Sequence, residues 1–223
     1  MSASFPETAR RGALRAAASI ACLWLAGCSV LPRPPAQPVR YDFGPVVPTA
    51  GAPAMPQGAR PAIALAEIEA PGLRDSETSV LYRLAYAESQ VVRPYQLARW
   101  TLPPAQLVQQ RLSSGLGRDR AVLLGGDGTA QPKVEGRTPA VLKVELEEFS
   151  HVFRSPQDSV GWVRLRATLV DRQPQGDVLL GQTTFVAQHP AASADAPGGV
   201  RALTQATDQA IAELQAWLNQ LGH

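Results

Sequence analysis

Leu142-Lys143-Val144-Glu145-Leu146-Glu147 and Val163-Arg164-Leu165-Arg166-Ala167-Thr168-Leu169 decide the architecture. Each alternates apolar and polar side chains with a period of two, so Leu142, Val144 and Leu146, and Val163, Leu165, Ala167 and Leu169, line one face of a sheet. The outward residues are Lys143, Glu145 and Glu147 on the first strand and Arg164, Arg166 and Thr168 on the second. Acid facing Arg across a ladder contributes roughly 0.2–1 kcal/mol per pair, which aids register more than stability. Gln173 to Asp177 reads as a hairpin turn, Val178 to Gln188 as the next strand, and His189-Pro190 with the Ala/Gly/Pro segment to Gly199 as a loop. Beyond it Val200, Leu203, Thr207, Ile211, Leu214, Trp217, Leu218 and Leu221 form the apolar stripe of a helix. Its polar face (Gln205, Asp208, Gln209, Glu213, Gln215) lacks the Lys and Arg of a membrane-surface helix, so docking on the sheet is the reading adopted.

Upstream, Val39 to Phe43 reads as a short first strand, and Gly44 to Pro61, with five Pro and three Gly, as a long surface loop. Ile63 to Ala70 alternates and ends at Pro71-Gly72. Val80 to Ala87 alternates again, and Glu88-Ser89 turns into Gln90 to Arg93 as a hairpin. Tyr95 to Thr101 is extended. Pro103 and Pro104 suit a helix start, and Leu107, Val108, Leu112 and Leu116 carry that helix to Gly117. Ala121 to Leu124 is a short apolar strand. This order predicts an α+β fold, one mainly antiparallel sheet with two principal helices packed on it.

The N-terminus is of a different kind. Arg10, Arg11 and Arg15 precede an apolar run, Ala16 to Leu25, too short for a membrane span, which takes about 20 residues. Leu25-Ala26-Gly27-Cys28 resembles a bacterial lipobox, in which the Cys thiol takes a diacylglycerol. Residues 1–27 are therefore read as a lipoprotein signal peptide, Cys28 as the site of lipid attachment (diacylglycerol and an N-acyl chain), and 28–38 as lipidated Cys and Pro-rich tether. Pro32, Pro34, Pro35 and Pro38 stiffen that tether, which reaches roughly 30 Å. Ser29 follows the outer-membrane-sorted pattern. The signal carries three Arg and one Glu, so its removal takes the formal charge from +2 to zero.

Composition narrows the function. The chain has 223 residues, 45% hydrophobic and 18% charged, which is globular. A charge near zero excludes a strongly basic nucleic-acid binder. The two cysteines, Cys22 in the signal and Cys28 under lipid, leave no thiolate for catalysis or metal. His151, His189 and His223 show no ligand spacing. Glu145, Glu147 and Glu148 could supply paired carboxylates, but a solvated or Arg-paired sheet face is the better reading. Gly125-Gly126-Asp127-Gly128 lacks the Lys-Ser/Thr of a phosphate loop and reads as a tight turn. Ser113-Ser114, Ser155 and Ser159 sit in no nucleophile elbow. Arg99 and Trp100 admit two readings. One is a partner contact, since both are hot-spot types; the favoured one packs Trp100 at the helix start. Trp162 and Trp217 read as core.

Several segments together resemble the ABC-type transport auxiliary lipoprotein component family, which includes paraquat-inducible protein C-like lipoproteins. They are the lipobox, Tyr41-Asp42-Phe43, Ile68-Glu69-Ala70-Pro71, Val80-Leu81-Tyr82, Ala98-Arg99-Trp100-Thr101-Leu102-Pro103-Pro104 leading into Leu107-Val108, and Glu147-Glu148-Phe149. The resemblance covers about residues 39–221, and 39–223 is taken as the family's domain. It implies a non-catalytic lipoprotein on the periplasmic face of the outer membrane. Its implied partners are an MCE-domain (mammalian cell entry) protein, an ABC permease and an ATPase, which move phospholipid between the inner and outer membranes. It leaves homo-oligomeric assembly, rings included, open. Two rivals share the anchor and fold: a lipoprotein regulating a cell-wall synthase or a secretion assembly, and a lipoprotein hydrolase. The missing thiol, sparse His and absent Ser motif disfavour the hydrolase.

Overall fold

The computed structural model describes residues 36–45, 60–73, 78–125, 133–134 and 136–223. The lipobox, Cys28, most of the tether, most of the Gly44–Pro61 loop and Gly126-Asp127-Gly128 lie outside the described residues. The chain divides into Met1–Gln37 and Pro38–His223, and the second unit holds every element below.

The strands are β1 (Val39–Tyr41), β2 (Ile63–Leu65), β3 (Ser79–Leu84), β4 (Glu88–Trp100), β5 (Val122–Leu124), β6 (Ala140–Phe153), β7 (Ser159–Gln173) and β8 (Gly176–Pro190). The helices are α1 (Pro104–Leu116) and α2 (Ala196–Gln220). The fold is α+β, with two helices on an eight-stranded sheet curled into a half-barrel.

The sheet is mixed, which corrects the mainly antiparallel expectation. Tight turns join β3 to β4, β6 to β7 and β7 to β8, and these three ladders are antiparallel. The other four, β1 with β4, β2 with β5, β2 with β6 and β3 with β6, are parallel. The cause lies in the connections. Connections this short, from two residues between β7 and β8 to five between β6 and β7, can only return a strand antiparallel, whereas long loops or a helix allow parallel addition. All three β2 residues, Ile63, Ala64 and Leu65, are fully buried, as suits a strand covered on both faces.

Strand β6 organises the curl. One edge pairs along its length with β7. Its other edge is shared: Ala140–Leu142 take β2 and His151–Phe153 take β3. Register shifts fall between Leu146 and Glu148, between Leu169 and Val170, and twice along β3–β4. Such bulges bend a strand and raise its twist.

Both helices pack on one sheet face. Leu107, Val108, Leu112 and Leu116 of α1 and Leu203, Ala206, Ala210, Leu214 and Leu218 of α2 join Leu142, Leu146, Val163, Leu165 and Leu169 in one core. A smaller cluster, Ala64, Ala66, Val141 and Val170, is formed elsewhere on the sheet. Arg111 donates to both carboxylate oxygens of Asp208, at 2.7 and 2.8 Å, and ties α1 to α2. Helix α2 lies unusually close to the strands. A Cβ at Gly161 would overlap the backbone of Ala202 and Leu203, and one at Gly199 would overlap the His151 ring.

Element limits also differ from expectation. The β3–β4 turn falls at Ala85–Ala87, so Glu88-Ser89 already belong to β4. His189-Pro190 end β8 rather than open a loop. Helix α2 starts at Ala196, earlier than its apolar stripe indicates. Asp195 caps it by accepting from the Gly198 N–H at 2.8 Å, and Pro197 fits the first turn, where a missing N–H costs nothing.

Candidate functional site

The junction between β4 and α1 carries the residues singled out above. Pro104 opens α1, and the Pro103 carbonyl accepts from Gln106 N at 2.9 Å and Leu107 N at 3.2 Å. Just before it, Trp100 is fully buried. Its ring meets Phe149 at a centroid distance of 5.5 Å and Phe43 edge-on at 5.6 Å. The Trp100 side chain is thus packed into the interior just ahead of α1.

That burial has a local purpose. Strand β1 lies parallel to β4 in the register Val39–Ala98, Arg40–Arg99 and Tyr41–Trp100. The Thr101 N–H donates to the Tyr41 carbonyl at 2.8 Å, and Phe43, two residues on, lands on the Trp100 ring. Trp100 thus fixes the segment where the chain joins the sheet. Arg99 is half-buried and folds back on its own strand, donating from Nη1 to the Tyr95 carbonyl at 2.6 Å and the Ala98 carbonyl at 2.8 Å. The structure brings Arg99 and Trp100 together only as chain neighbours.

The outward face of β6 and β7 carries the acids and arginines. Glu147 sits at the bulge opposite β7 and pairs with both Arg164, at 2.6 Å, and Arg166. Glu148 pairs with Arg83 of β3 at 3.1 Å. Glu147 and Glu148 are thus engaged by guanidinium groups, as an Arg-paired sheet face requires.

A buried polar pair escaped the sequence reading. His151 of β6 is fully buried under the first turn of α2, and its Nδ1 lies 2.9 Å from the Tyr95 hydroxyl. Burial lowers the His151 pKa to about 4, against an opposing pull from Asp195. Burial raises that of Tyr95, helped by Tyr82 and Asp195. Both groups are neutral near pH 7. With the tyrosine donating to Nδ1, the imidazole proton sits on Nε2, which is buried without a hydrogen-bond partner. Tyr82, Tyr95, His151 and Phe153 form a ring cluster around the pair. Gly161 and Gly199, which admit α2 to this spot, were the available signal.

His189 hydrogen-bonds the Pro190 carbonyl at the end of β8, and His223 ends the chain beside Arg120. Among the described residues no group of three His, Cys, Asp or Glu converges as a metal site would. Ser155 accepts backbone N–H bonds from Gln157 and Asp158 in the β6–β7 turn. A groove of about 520 Å³ runs beside α1, lined by Glu67, Gln106, Gln109, Gln110, Ser113, Ser114, Leu124 and Gly125. Gln109 is committed to structure, since its Oε1 accepts from Ile68 N at 3.1 Å. Among the described residues no helix is long and apolar enough to cross a membrane.

The family model for the ABC-type transport auxiliary lipoprotein component matches residues 41–215. The chain belongs to that family. A crystal structure of a protein from Xanthomonas campestris shares the fold of this auxiliary lipoprotein, with a TM-score of 0.61 at 18% identity, over 82% of this chain and 96% of that one. A second, of an uncharacterised protein, gives a TM-score of 0.55 at 13% identity over 82% and 99%. No curated protein matches the chain. The protein is thus an auxiliary lipoprotein component of ABC-type transport systems.

Proposed function

We propose that this protein is a lipid-anchored, non-catalytic accessory of an MCE/ABC system that moves phospholipid between the inner and outer membranes, seated on the periplasmic face of the outer membrane. In this reading residues 1–27 are removed, Cys28 carries the lipid, residues 28–38 span the gap and 39–223 form the docking domain. The observation that carries it is the family match over residues 41–215 downstream of Leu25-Ala26-Gly27-Cys28. The side chains with chemistry to offer support a binding role. Glu147, Glu148, Arg111 and Asp208 are in ion pairs, and His151 is sealed beneath α2. Its partners in the proposal are an MCE-domain protein, the ABC permease and its ATPase.

Crosslinking and affinity purification of the tagged lipoprotein from native membranes tests this. Mass spectrometry should recover an MCE-domain protein with a permease and an ATPase. Recovery of cell-wall synthases or secretion components alone would replace the transport reading with the rival one. Labelled palmitate should enter the wild-type chain and not Cys28→Ser; label in both would remove Cys28 as the anchor.

A further inference from the structure

Strand β8 is fifteen residues long, Gly176–Pro190, and among the described residues it pairs only with β7. Its other edge is a long row of main-chain donors and acceptors. Proteins normally blunt such an edge with Lys, Pro or inward charge, because an unguarded one captures another strand. Here the one charged residue is Asp177 and the one proline, Pro190, stands at the last position, and the strand between them exposes Leu179 at 61%, Leu180 at 37% and Val186 at 48%. The other terminal strands, β1 and β5, have three residues each.

The pattern on β8 is self-complementary. An antiparallel pair of β8 strands with a two-fold axis at Thr183 sets Gln182 against Thr184 of a second copy and Leu180 against Val186. The shift of register between Leu169 and Val170 leaves Leu180 as the extra residue, so Leu179 and Leu180 together flank the second copy's Val186. The exposed apolar groups meet one another, and no like charges come opposite. On the helix side, Trp217 of α2 and Leu221, which caps its end, reach to Gly181, two residues from that axis, and extend the contact. We propose that two copies of this chain join through β8, edge to edge and antiparallel about Thr183, making one continuous sheet. This interface is isologous and does not rest on the transport reading.

The test uses the full-length protein in its own membrane. Thr183→Cys places a thiol on the two-fold axis, where directly opposed Cβ atoms are about 4.5–5.5 Å apart. Leu97→Cys, on the exposed part of β4, reports random collision, and the wild type reports Cys28. Mild oxidation should convert Thr183→Cys to a covalent dimer about tenfold faster or more than Leu97→Cys. Val186→Lys, an exposed position, should abolish that advantage and halve the mass of the detergent-solubilised wild-type assembly by sedimentation. Equal crosslinking at the two positions, or a Val186→Lys chain that crosslinks through Thr183→Cys as before, would overturn the proposal. Crosslinking of Thr183→Cys only to a different protein would overturn it too, in favour of a partner strand.

Discussion

Gly161 lies where helix α2 crosses β7, and one methyl group there tests how the helix is seated. An ideal Cβ would sit under 3.0 Å from the backbone of Ala202 and Leu203, where ordinary contact is 3.4–4 Å. Backbone cannot rotate away as a side chain can, so the helix must retreat by on the order of 1 Å. A gap of that size forfeits about a quarter to a half of each dispersion contact beneath it. Leu203, Ala206, Ala210 and Leu214 are buried along the displaced stretch. The expected cost of Gly161→Ala is about 2–3 kcal/mol, in the upper range for overpacking. Gly181→Ala is the control. There the neighbours are side-chain atoms of Trp217 at 3.0 Å and Leu221 at 3.1 Å, which can shift, so the expected change is under about 1 kcal/mol. Neither glycine has positive φ, so the comparison isolates packing. In urea unfolding of the chain lacking residues 1–28, with a slope of about 2 kcal/mol per M, Gly161→Ala should lower the midpoint by about 1 M or more. Equal midpoints for the two variants would refute the backbone-contact argument.

Three further outcomes follow from the site. Trp100→Ala should destabilise by about 3–5 kcal/mol, and Trp100→Phe should fold yet speed hydrogen exchange at the Thr101 amide, which bonds Tyr41; unchanged exchange there would separate Trp100 from β1. His151 should titrate near pH 4 by NMR, against an ordinary 6.5. Because the unfolded imidazole takes its proton first, stability is intact above about pH 6.5 and falls between there and about pH 4; His151→Gln should flatten that slope, and a native titration near 6.5 would sink the account. Asp195→Ala should cost about 1 kcal/mol through the lost cap. Its carboxyl is held below the ordinary range by bonds from Ser193 and Gly198, so the cap weakens as pH falls through its folded pKa, and a wild-type-like variant at pH 7 would count against it.

The alternation along 142–147 and 163–169 was enough to place β6 and β7, their shared buried face and their acid–Arg ladder, because a half-buried antiparallel pair writes a period of two. The helices were equally legible from their apolar spacing. Parallel pairing was not. Strands such as β2 and β5 are three residues long, too short to show which neighbour they take or in which sense. The glycine-containing start of α2 was also hidden, since Gly198 and Gly199 read locally as loop, whereas a Cβ at Gly198 would overlap Ser193 and one at Gly199 the His151 ring, so close packing and not a turn requires glycine there. At the candidate site, the burial of Trp100 could be favoured from its prolines. The Tyr95–His151 pair could not, because the two lie 56 residues apart and neither sits in a motif.

The parallel alignment of β1 on β4 has a mechanical side. A pull on the chain ahead of Val39, directed along the strand, strains its rungs to β4 simultaneously instead of peeling them in turn. The Phe43–Trp100 contact then acts as a stop behind them. Three residues of strand resist in shear what they would surrender at once to unzipping, so the direction of a tug, and not only its size, decides whether the domain stays whole.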